Sequence, residues 1–238
     1  DELLVGYLAQ LPPTALQGIS DARAILQRAT VPPGAAPPPG DRVAVVRAPE
    51  APVQIVDFSD IKCSHCANLD RTMRELHRIL PPGSYAHEAR WYPLDADCNA
   101  SLDPAFTGPD DVRCLAPKVL GCVHRARPAQ ADELRARFFE EQQTLTAARI
   151  DELTLAIAGL SADALAACLE APDADAALAA DVAYADRYAP EGTPLVVING
   201  RQGVSYGPFL YALILARGDV DHPAFGALPP PAAELHMH

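Results

Sequence analysis

Two apolar rhythms run along this chain, separated by clusters of proline and glycine. Val53-Gln54-Ile55-Val56-Asp57-Phe58 is a near-continuous β-branched run of the length expected for a buried strand. A polar turn, Ser59-Asp60-Ile61-Lys62, follows it. Leu69, Met73, Leu76 and Leu80 then recur at helical spacing, predicting an amphipathic helix over 64–80 that stops at Pro81-Pro82-Gly83. Tyr85–Tyr92 reads as a strand, with His87, Ala89 and Trp91 alternating against Ala86, Glu88 and Arg90. A right-handed crossover makes it parallel to the strand at 53–58. Ahead of these, Arg42–Val46 predicts a short strand at a sheet edge.

From Leu115 to Tyr188 the pattern is helical almost throughout. The predicted helices are 115–126, 130–143, 146–158, 161–170 and 173–188, with Ser161 and Asp173 as N-caps and Leu134, Phe138, Phe139 and Leu145 as core. A second β-branched strand, Leu195–Ile198, turns through Asn199-Gly200 toward 203–205, and a closing helix covers 208–216. At the N-terminus Leu3, Leu4, Tyr7, Leu8 and Leu11 form a helical stripe broken by Pro12-Pro13, and 16–26 resumes it. Five prolines and two glycines make Val31–Gly40 a semi-stiff linker. The organisation expected is a helical arm and linker over 1–40, an α/β domain over 41–227 with a helical insertion at about 114–189, and a proline-rich tail over 228–238.

Length and charge narrow the class of function. A chain of 238 residues, 49% of them apolar, can bury a full core. A formal charge of −12 argues against nucleic acid or an anionic membrane surface as partner. No apolar run approaches the ~20 residues needed to span a bilayer. No charged-then-apolar signal segment precedes Asp1, so a mature protein or an excised soluble domain is expected.

The chemistry concentrates at Cys63-Ser64-His65-Cys66, where the strand at 53–58 gives way to a helix. Unpaired backbone N–H groups and the positive end of the helix dipole favour a thiolate at Cys63. Cys66, three residues on, can close a small disulfide and expel whatever Cys63 has attacked. His65 can donate a hydrogen bond or a charge to that thiolate. Asp57 is a carboxylate inside a strand, costly there unless it has a role. Half a zinc site is the bland alternative for the cysteines, but a four-ligand cage needs two further ligands at comparable spacing. The alternative readings are Asp57 as a turn acceptor, His65 as a solvated turn residue and Thr193-Pro194 as an ordinary trans turn.

Cys98, Cys114, Cys122 and Cys168 complete the six cysteines. They are either small buried hydrophobes or two disulfides, and disulfides persist in oxidising compartments. A Cys98–Cys114 bridge would pin the polar loop between them, a contribution of ~3 kcal/mol by loop entropy. Cys122 with Cys168 would tie two helices of the insertion. The rival pairing is Cys98–Cys122 with Cys114–Cys168.

Strand, Cys-x-x-Cys at a helix start, a long excursion, then Thr193-Pro194 and a strand: this order, from Arg42 to Arg217, resembles the thioredoxin superfamily. The insertion and the run Asp57-Phe58-Ser59-Asp60…Cys63-Ser64-His65-Cys66 are similar to the DsbA-type thiol oxidoreductases. The resemblance implies a thioredoxin fold with Cys63 as nucleophile, Cys66 as resolving cysteine and Asp57 as a buried acid relaying protons to Cys66. It implies a cis-proline at Pro194 facing the disulfide, with Thr193 contacting the bound peptide. Ser64 stands where DsbA itself has proline, and threonine before the cis-proline is shared with disulfide isomerases. Both directions of exchange therefore stay open.

Asp97-Cys98-Asn99, a loop, then Cys114 leading into a helix is similar to DsbA-like domains associated with vitamin K epoxide reductase-type proteins. That likeness implies a membrane quinone-coupled reoxidant of this or the DsbB type. Taken together, the reading is a monomeric protein disulfide oxidoreductase in a bacterial periplasm or similar compartment. It would act on reduced or unfolded proteins with no cofactor and no metal. The rivals are a disulfide reductase or isomerase, a carrier holding Cu(I) between two thiolates, and a non-catalytic binding module.

Overall fold

The computed structural model describes residues 2–34, 44–46 and 48–235. Its sheet has five strands, β1 (Ala44–Val46), β2 (Gln54–Ser59), β3 (Ala86–Trp91), β4 (Leu195–Ile198) and β5 (Arg201–Gly203), in the order β1-β3-β2-β4-β5. β2 and β3 are parallel, with Asp57 opposite Ala89, while β4 runs antiparallel to β2 with Val196 opposite Asp57. β1 is the edge strand expected and pairs antiparallel with β3, and the Arg42 and Val43 of that prediction lie outside the described residues. β4 and β5 form a hairpin through Asn199 (φ 49°) and Gly200 (φ 79°), the two left-handed residues that a tight two-residue turn requires.

Nine α-helices are described: α1 (Glu2–Ala9), α2 (Pro13–Arg28), α3 (Ser64–Ile79), α4 (Val112–Ala126), α5 (Pro128–Glu140), α6 (Ala147–Ala158), α7 (Ala162–Leu169), α8 (Pro172–Asp186) and α9 (Gly207–Leu215). The helical insertion holds the five helices predicted. Ser161 caps α7 by accepting the Ala164 N–H, but Asp173 does not cap α8. Pro172 occupies the first helical position there, so Ala171 becomes the cap residue and Asp173 falls in the first turn, where its charge still suits the dipole.

Period-two alternation divides the sheet residues between two faces. Val53, Ile55, Val196 and Ile198 face a core built with α2, α3 and α9, and Leu4, Leu8, Ile19 and Leu26 of the N-terminal helices belong to it. Phe58, Leu195 and Val197 face the opposite way, against Val182, Tyr184 and Tyr188. The first two N-terminal helices are thus packed as part of the sheet's cover. β3 shows no solvated face, because five of its six residues are buried and the sixth, Glu88, is only partly exposed. A third cluster joins Ile61 and Cys66 to Val119, Leu134, Phe138, Phe139, Leu145 and Ile150 of the insertion. The redox motif therefore sits where the sheet domain meets the helical bundle.

Candidate active site

Cys63 is the N-cap of α3, and its sulfur accepts the Cys66 backbone N–H at 3.3 Å. The same sulfur lies 3.2 Å from the Thr193 carbonyl, 130 residues away in sequence. Both cysteines are free thiols here, Cys63 half-buried and Cys66 fully buried. Ser64 and His65, between them, are exposed. Apolar burial around Ile61 fixes the turn, and the side chain of Gln142 clamps it by donating to the Ile61 and Cys63 carbonyls at 2.9 and 3.1 Å.

The two sulfurs are driven apart in acidity. The Cys66 side chain hydrogen-bonds the Cys63 sulfur, and Thr193 and the N–H groups of Cys66 and His65 add to it. Against the opposing effect of partial burial, they lower Cys63 from 9.0 to about 6. Burial above all, and then the neighbouring Cys63, push the Cys66 thiol far up. Near neutral pH the half-buried sulfur is a thiolate and the fully buried one a thiol, the arrangement a nucleophile and its resolving partner need. Thr193 Oγ1 is buried with no hydrogen-bond partner, a donor placed for a negative sulfur.

Asp57 is 1% exposed. Its carboxylate accepts from Ser59 Oγ at 2.7 Å, meets His87 Nε2 at 2.5 Å and pairs with Arg135 at 3.2 Å. Burial raises its pKa, but Arg135 and then His87 outweigh that and hold it below 3.8, so the group is ionised. Arg135 is buried in turn and reaches Asp70 at 3.5 Å. Beneath the thiols lies a compensated ionic cluster. Asp60 is a second hub: Oδ1 accepts the Lys62 N–H at 2.8 Å and an Arg113 N–H, Oδ2 accepts the Leu94 N–H at 2.8 Å. The Asp60 N–H donates to Cys66 Sγ at 3.4 Å.

The Thr193–Pro194 peptide is cis and brings Thr193 against Cys63. His65, Gly192, Thr193, Pro194, Gln202 and Ser205 are among the residues lining a groove of about 320 Å³ beside the dithiol. Cys98 is bonded to Cys114 and Cys122 to Cys168, so the rival pairing does not form. Among the described residues no group of three or more His, Cys, Asp or Glu is placed to hold a metal. Sequence reading missed Arg135, His87, Asp60, Arg113 and Gln142 as parts of the site. Arg135 carried a signal, a charge on the face of α5 that Ala131, Leu134 and Phe138 bury.

A dithiol at a helix N-terminus, facing a cis-proline loop, defines a thiol-exchange class of domain. The thioredoxin family model matches residues 43–205, well over half the chain, and the protein belongs to that family. BdbD from Bacillus subtilis superposes with a TM-score of 0.61 at 13% identity, covering 79% of this chain and 98% of that one. DsbA from Xylella fastidiosa gives 0.53 at 16% identity, covering 74% and 91%. The catalytic domain of Proteus mirabilis ScsC gives 0.54 at 18% identity, covering 87% and 98%. At these identities the likeness establishes the fold, a thioredoxin fold with a helical insertion. No curated protein matches the chain in sequence.

Proposed function

We propose that this protein is a DsbA-type protein disulfide oxidoreductase that introduces disulfides into reduced or unfolded proteins outside the cytosol. The observation that carries the reading is the opposed acidity of a half-buried Cys63 and a fully buried Cys66. A stable Cys63 thiolate favours the reduced enzyme and so makes the disulfide form an oxidant.

In the oxidised enzyme a substrate thiolate attacks Cys63 Sγ. The Cys63–Cys66 bond breaks, a substrate–Cys63 disulfide forms, and Cys66 leaves as a thiolate that takes up a proton. The substrate's second thiolate then attacks its own sulfur in the mixed disulfide and releases Cys63. Two electrons have passed from substrate to enzyme, which a membrane quinone-coupled partner of the DsbB or vitamin K epoxide reductase type would remove. Thr193 and Pro194 line the side of the dithiol where substrate backbone would dock. Asp57, buried beneath the dithiol, serves in this reading as the relay for the proton that Cys66 takes up on leaving and gives up again when the pair is reoxidised. Among the described residues no single helix is long and apolar enough to cross a membrane.

The test is the equilibrium reduction potential of Cys63–Cys66 in glutathione buffers, with oxidation of a reduced dithiol peptide as the activity readout. A potential toward about −120 mV, as in DsbA, supports disulfide donation. A potential near about −270 mV, as in thioredoxin, overturns it in favour of a reductase.

A further inference from the structure

Arg125 Nη2 donates to Cys168 Sγ at 2.9 Å and to Cys122 Sγ at 3.5 Å, so one guanidinium bridges both sulfurs of the α4–α7 disulfide. Cys168 is partly exposed, whereas Cys122 is 2% exposed. An attacking thiolate therefore reaches Cys168, and the sulfur that departs is Cys122. A neighbouring cation stabilises a departing thiolate, and a lower leaving-group pKa speeds exchange and favours the reduced pair. The Cys98–Cys114 bridge has different surroundings. The Asp95 carbonyl lies 3.8 Å from Cys98 Sγ, and Asp103, Asp110 and Asp111 lie in the loop that the bridge closes. A Cys98 thiolate released there would face that carbonyl, whereas Cys114 lies in the first turn of α4, at the positive end of the helix dipole.

We propose that Cys122–Cys168 is a second redox site, exchanging with low-molecular-weight thiols of the glutathione class, while Cys98–Cys114 is a purely structural bridge. A glutathione thiolate attacks Cys168 Sγ, forming glutathionyl-Cys168 and expelling the Cys122 thiolate beside Arg125. A second glutathione attacks the glutathione sulfur of that mixed disulfide and releases Cys168. Two thiols are oxidised to glutathione disulfide, and the protein disulfide gains two electrons and two protons. The exposed Arg125 and Arg127 add positive charge that suits an anionic thiol. The site stands apart from the Cys63–Cys66 chemistry and does not depend on the direction in which that pair works.

The test equilibrates the full chain in graded glutathione buffers, traps thiols by alkylation and maps each cysteine by mass. Cys122 and Cys168 are expected to open at a higher ratio of oxidised to reduced glutathione than Cys98 and Cys114, with glutathionyl-Cys168 as the intermediate. Arg125→Ala is expected to lower the equilibrium constant for opening about tenfold, the worth of one charge-assisted hydrogen bond, and Arg125→Lys to restore most of it. Circular dichroism confirms that each variant is folded. Both bridges opening together, glutathione found on Cys122, or Arg125→Ala matching the wild type would each overturn the proposal.

Discussion

Arg135 Nη2 lies 3.2 Å from Asp57 Oδ1, and the two side chains, 78 residues apart, are both buried. One comes from the inserted helices and the other from the strand that delivers the redox motif. The pair is thus an electrostatic seam between the two halves of the molecule. Asp57, Asp70, Asp132 and Cys66 keep Arg135 charged although its burial opposes this.

Breaking the seam from one side leaves a buried charge uncompensated. Arg135→Met is expected to destabilise the fold by about 3–5 kcal/mol in chemical denaturation, and Asp57→Asn in the same chain to recover part of the loss. Asp57 titrates lower in the fold than its ordinary 3.8. Its stabilisation is therefore complete above that value and disappears as pH falls through the depressed folded value. Arg135→Met should flatten this acid limb of the stability curve.

Cys63 supplies a pH prediction of the same sign at higher pH. Its thiol is lowered from 9.0 to about 6 in the reduced protein. Thiolate absorbance of the reduced protein should rise with a midpoint near that lower value, and the alkylation rate should plateau above it. The reduced fold gains stability as pH rises from about 6 to 9, keeps it above 9 and loses it as pH falls through the lower value. A midpoint near 9 would refute the assignment.

Thr193 Oγ1 is a buried hydroxyl without a partner, and Thr193 helps to hold the Cys63 thiol below its ordinary pKa. Thr193→Val keeps the shape and removes the donor. The Cys63 midpoint is expected to move up while the midpoint of urea unfolding is unchanged or raised, since an unsatisfied buried hydroxyl is lost. Titration and denaturation of one variant separate the two effects.

Gln142 holds the redox turn through two carbonyls that have no other side-chain donor described. Gln142→Leu leaves both without that donor and is expected to cost about 1–3 kcal/mol. The loosened turn should broaden or shift the Cys63 titration. A wild-type titration in a destabilised variant would show that Gln142 braces the bundle only.

What was legible in the sequence was whatever rests on local spacing. The β2 run is short and β-branched, α3 carries its apolar stripe and proline stop, and Asn199-Gly200 makes its turn, because periodicity and backbone sterics act within a few residues. Cys63 and Cys66 are legible for the same reason, since a helix N-terminus and a three-residue spacing are local facts. The Asp173 cap was misread by two residues because Pro172 starts the helix first.

Tertiary structure alone decided which distant groups surround those cysteines. Arg135 and His87 meet Asp57, Arg113 meets Asp60 and Arg125 meets the Cys168 sulfur across separations that no periodicity encodes. The strand order sets Asp57 beside β3, and the packing of α5 onto α3 lowers Arg135 beneath the thiols. Charges in a low-dielectric interior must find partners wherever the chain brings them, so pairing follows the fold and not the sequence interval. The motif is written in the chain; its acidity is set by the enclosure.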